Sequence, residues 1–148
     1  MDKKFIELDL ENIINRMMTT HCWSLKGAIE VSRQYRNYLF LKLKFSKCDL
    51  PPSAQIDEFW HMHIIHTKKY HQDCMTLFGE YLHHDPSGEN GSKTQDEFSL
   101  IFEKQTQLLY YMEFGEYIYQ INIGESKMKK LFRKLFMSKK KAKSAVCL

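Results

Sequence analysis

At 148 residues, with 43% hydrophobic and 14% aromatic side chains, the chain has enough apolar surface for a real core, which excludes global disorder. Its net charge of +4 hides a division: residues 126–148 hold eight lysines, one arginine and no acid, a sum of +9. The 125 residues before them hold 13 basic and 18 acidic side chains, a sum of −5.

In chain order, Asp9 is placed to cap a short helix reaching about Met18, with Leu10, Ile13, Ile14 and Met17 on one face. Ser24 is placed to cap a second helix, with Leu25, Ala28, Ile29, Tyr35, Leu39 and Leu43 at helical spacing. Leu50-Pro51-Pro52-Ser53 interrupts the chain, because proline has no amide hydrogen and restricts the residue before it. Ser53 then opens a histidine-bearing helix expected to run to about Phe78 and stop at Gly79. Residues 85–92 read as a loop by composition. Thr94-x-x-Glu97 is a capping box, followed by Phe98, Ile101, Phe102, Leu108, Leu109 and Met112 at helical spacing. Tyr117–Ile123 fits either a strand or a continuing helix. The expected fold class is all-α. It is a single domain of four to five helices, residues 1–125, with the histidine helix at its centre and a basic segment, 126–148, appended.

Six of the seven histidines lie between His61 and His84. Asp57-x-x-Trp60-His61-x-His63, Thr67-x-x-Tyr70-x-x-Asp73-Cys74, Phe78-Gly79 and His83-His84-x-Pro86 form one dense pattern. It resembles the signature of the glycine-rich domain-containing protein-like family. Weaker likenesses occur at Trp23, Tyr35-Arg36-x-Tyr38-Leu39 and Pro52-Ser53, and downstream at Thr106-x-x-Leu109-Tyr110 and Phe114-Gly115, so residues 20–115 are covered. The resemblance implies a helical domain of unsettled biochemistry. The glycine-rich region that names that family is missing, since the chain has six glycines, and any role of that region does not carry over.

Helix geometry sorts the candidates for chemistry. At about 100° per residue, Asp57 and His61 share a sector, while His63 lies almost opposite His61 with Phe59, Tyr70 and Cys74. On a straight helix His63 and Cys74 stand roughly 16 Å apart, too far to share an ion. One feasible set is Asp57 and His61 joined by His83 or His84 after the chain turns at Gly79; Asp57, His61 and His83 are the candidate metal ligands, with zinc the expected ion. The second reading is structural, with histidines bonded to tyrosine, carboxylate or backbone groups. Acid–base catalysis without metal is a third. Cys74 reads as a small buried hydrophobe rather than a nucleophile, because activated thiolates favour helix N-termini and this one lies late in its helix. Cys22, Cys48, Cys74 and Cys147 show no C-x-x-C spacing, which argues against a zinc ribbon or a redox dithiol. No H-E-x-x-H, G-x-G-x-x-G or Walker pattern occurs.

The tail carries Met128, Leu131, Phe132, Leu135 and Phe136 on one helical stripe, with lysines opposite. Lys129, Lys130, Leu131, Phe132, Arg133, Lys134, Leu135 and Phe136 are the expected contacts to an anionic membrane surface or a protein partner. Nucleic acid is the rival partner, disfavoured by the apolar stripe. A stripe packed on its own domain is the ordinary alternative. Cys147 lies second from the end, whereas a prenylation site needs the cysteine fourth from the end. No run of 18 apolar residues exists and the start Met-Asp-Lys-Lys-Phe lacks a signal block, so a cytosolic chain, peripherally attached at most, is expected. The function read from these features is a binding or regulatory domain; a metal-dependent hydrolase and an RNA-associated module are the alternatives.

Overall fold

The computed structural model describes residues 1–84 and 94–124, which are helical with no strand among them. The helices are α1 (Lys3–Ile6), α2 (Glu11–Thr20), α3 (Leu25–Lys44), α4 (Ala54–Ile65), α5 (Thr67–Phe78), α6 (Gln95–Ile101) and α7 (Gln107–Phe114). A π-helical turn, Phe102–Thr106, joins α6 to α7. The tail contacts expected at 129–136 lie outside the described residues.

Local chemistry sets the boundaries. Ser24 accepts a bond from the Gly27 amide and Ser53 from the Ile56 amide, each satisfying one of the free donors that begin a helix. Thr94 and Glu97 form the expected capping box. Gly79 and Gly115 end α5 and α7 in left-handed conformations, φ 77° and 71°, where a Cβ is disfavoured. Asp9 acts one residue earlier than expected: its carboxylate receives the Glu11 amide at 3.0 Å, and Leu10 occupies the cap position.

The central element is α3, not the histidine helix. It packs against α1, α2, α4 and α7, and buries Ala28, Val31, Tyr35, Tyr38, Leu39 and Leu41. Ile29, expected on that face, is exposed. The continuous histidine helix expected from Ser53 to Phe78 is also corrected. The backbone leaves helical geometry at His66 (φ −81°, ψ 61°), and two packed helices, α4 and α5, take its place.

Residues 116–124 form neither strand nor helix but a strap. Glutamine side chains supply the bonds a neighbouring strand would give. Gln55 donates to the Ile121 carbonyl and accepts from its amide, both at 2.8 Å. Gln107 grips Ile118 in the same two-pronged way at 2.9 and 2.8 Å. Ile118 and Ile121 are thereby buried. The strap crosses α3 at Gly27, where a Cβ would stand 2.6 Å from the Ile123 Cα; no side chain fits there.

Candidate metal centre

The break at His66 builds the site. It sets α5 against α4, with the His66 ring nitrogen Nδ1 2.8 Å from the Met62 carbonyl oxygen at the bend. Asp73 thereby reaches His63, and their Oδ2 and Nε2 atoms are 2.8 Å apart. On its other side His63 Nδ1 meets the Tyr35 hydroxyl of α3 at 3.0 Å. Burial lowers the pKa of His63, and the bond to Asp73 offsets this only in part. Burial of Asp73 acts to raise its pKa, but the bonds from His63 and Lys69 outweigh it and the net shift is downward. The pair is therefore a neutral imidazole donating to a carboxylate, which leaves Nδ1 to accept from Tyr35. His63 and Tyr35 are both buried, so this chain of bonds braces the core.

A second chain positions the segment after Gly79. The Trp60 indole N–H donates to the Tyr70 hydroxyl at 2.9 Å, and that hydroxyl donates to the Leu82 carbonyl at 2.6 Å. Cys74 is buried in the core. Burial raises its thiol pKa, so it is not an activated nucleophile.

With Leu82 fixed, alternation along the extended segment sends His83 and His84 to different sides. His84 stacks on the Trp60 indole, ring centroids 4.2 Å apart. Its Nε2 lies 2.7 Å from His61 Nε2 and 3.0 Å from Asp57 Oδ1. Asp57 and His61, one turn apart on α4, complete the group with 3.8 Å between Oδ2 and Nδ1. One ligand atom from each of the three residues lies within 4.8 Å of the others. His83, the histidine expected in this set, instead sets its ring edge-on to Tyr81 at 4.9 Å and is exposed. The third member is His84.

The residues that carry this arrangement fall within one family match. The UCP032817-like family matches residues 7–106, about two thirds of the sequence. The chain belongs to the UCP032817-like family. No curated protein and no solved structure matches it. Within the matched span lie both Asp57–His61–His84 and the residues that brace it, from Tyr35 to Cys74.

Two imidazoles and a carboxylate at this spacing suit a divalent ion. Zinc bonds of about 2.0–2.1 Å place tetrahedral ligand atoms roughly 3.3 Å apart, inside the 4.8 Å within which one atom of each residue lies from the others, and leave one position for water or a ligand. The same donor set also fits iron(II) held on one face. Beside it lies a cavity of about 530 Å³, lined by Asp57, His84, Gln95, Phe102, Glu103 and Gln120 among others. The π-helical turn contributes Phe102 and Glu103 to that wall, and Thr106 anchors the turn by donating to the Pro51 carbonyl at 2.9 Å. Among the described residues no helix is long and apolar enough to cross a membrane.

Proposed function

We propose that this chain is a metal-binding helical domain in which Asp57, His61 and His84 hold one zinc ion, with a free coordination position beside the cavity at Glu103. A binding or regulatory role follows from this site; metal-dependent hydrolysis is the second reading, favoured by the open cavity against the ligands. The observation that carries the proposal is the convergence of the three donor atoms, on a histidine stacked against a buried tryptophan. The resemblance to the glycine-rich domain-containing protein-like family rests on the same residues and belongs to the proposal.

The test is zinc titration by calorimetry of protein purified without a metal-affinity tag, alongside elemental analysis. One zinc per chain is expected for the parent and for His83→Ala, with zinc lost from His84→Ala and His61→Ala. Zinc also raises the melting temperature of the parent, since an ion that binds only the folded state stabilises it. Equal zinc binding by His84→Ala and the parent overturns the assignment.

The segment 126–148 is proposed to dock this body on an anionic membrane surface or a protein partner, on the charge and apolar stripe of its sequence. Removing it takes the net charge from +4 to −5. The full chain is expected to co-sediment with acidic-lipid vesicles and the truncated chain to stay in solution. Equal sedimentation of the two contradicts the membrane reading.

A further inference from the structure

A second concavity, about 470 Å³, shares His84, Trp60 and Phe98 with the surroundings of the metal centre, and its volume suits a one- or two-ring molecule. Its walls are of two kinds. Phe98, Pro51 and Pro52, with the 2% of Trp60 that is exposed, give an apolar side, whereas Lys42 and Lys47 give a cationic one, with Asp49 the single carboxylate of the lining among the described residues. Lys42 comes from the last turn of α3, is half-buried, and has no hydrogen bond or ion pair with the described residues. Burial lowers the pKa of its ammonium group, and the charge of Asp49 compensates only in part. A half-buried charge without a contact partner is costly in the free protein, and an anion placed against it recovers that cost.

We propose that this concavity binds a small anionic molecule with an apolar ring, its anionic group paired with Lys42 and its ring against Phe98, Pro51 and Pro52. The occupant lies next to His84, so the site flanks the metal centre without using its ligands for the anion.

Benzoate is the probe, with benzamide as its neutral counterpart. Binding to the full chain is followed by amide and indole NMR shifts, with and without added zinc. Benzoate is expected to shift the Trp60 indole and the Lys42 and Phe98 amides in both forms, with benzamide about tenfold weaker, the factor for one charge-assisted contact. Lys42→Met is expected to weaken benzoate by a similar factor while leaving the circular dichroism spectrum unchanged. Because metal-free protein keeps the Lys42 wall, loss of zinc binding and loss of benzoate binding are separate results. The proposal is overturned if benzoate does not bind, if benzamide binds equally, or if Lys42→Met changes nothing. Binding that needs zinc and ignores Lys42 overturns it as well, since the carboxylate is then a metal ligand.

Discussion

Trp60→Ala is expected to lower the unfolding free energy by about 3–5 kcal/mol, the usual cost of emptying a large aromatic site in a core. Trp60 is 2% exposed, meets Tyr38 edge-on at 5.7 Å and donates its indole N–H to Tyr70. Alanine leaves a cavity between α3, α4 and the segment after Gly79. It also takes away the surface on which His84 stacks, so zinc affinity should fall along with stability. Trp60→Phe keeps most of the apolar volume while losing the N–H donor, and should cost less. Urea unfolding followed by circular dichroism measures both. An unchanged midpoint for Trp60→Ala would show that the residue carries no core packing.

His63→Leu should be comparably damaging, although it adds no charge and keeps the site apolar. It removes the partner of the Tyr35 hydroxyl and leaves Asp73 with Lys69 alone. A buried polar group deprived of its partner costs about 1–3 kcal/mol, and two groups are affected here. Tyr35→Phe in the same chain should recover part of the loss, because removing both ends of a buried bond costs less than removing one. The parent protein should also be acid-sensitive. The folded-state pKa of His63 lies below the ordinary 6.5, so the imidazole's contribution is fully present above about 6.5. As pH falls, the unfolded chain takes up a proton that the folded chain does not, and the contribution is lost through the folded-state pKa. Asp73, whose pKa is also depressed, adds a loss of the same sign below about 3.8. Melting temperatures measured from pH 7 to 5 should fall for the parent and change less for His63→Leu. Parallel profiles would remove His63 as the cause.

The parts of this architecture legible in the sequence are those encoded locally. Ser24, Ser53, the Thr94–Glu97 box and the stops at Gly79 and Gly115 all act within one helical turn, so composition alone points to them. The one-turn pairing of Asp57 with His61 was legible for the same reason. The break at His66 was not, because no proline or glycine marks it; the bend is held by packing of α5 on α4. Missing it made His63 look remote from the Asp73–Cys74 end, when Asp73 is its direct partner. The choice of His84 over His83 depends on Leu82 being fixed by Tyr70, a contact twelve residues away in the chain. A regular 3.6-residue period likewise places Leu108 and Met112 in the core, yet the π-helical turn shifts the register after Phe102 and both are exposed. The strap after Gly115 was ambiguous because its bonds come from Gln55 and Gln107, not from a neighbouring strand.

The most direct measurement of the metal assignment is a crystal structure of the zinc-treated protein with anomalous diffraction recorded at the zinc edge. The account predicts one strong peak about 2.0–2.1 Å from a carboxylate oxygen of Asp57 and one ring nitrogen each of His61 and His84, with His83 still against Tyr81. A peak bound by His83 instead of His84, or no peak near Asp57, would contradict it.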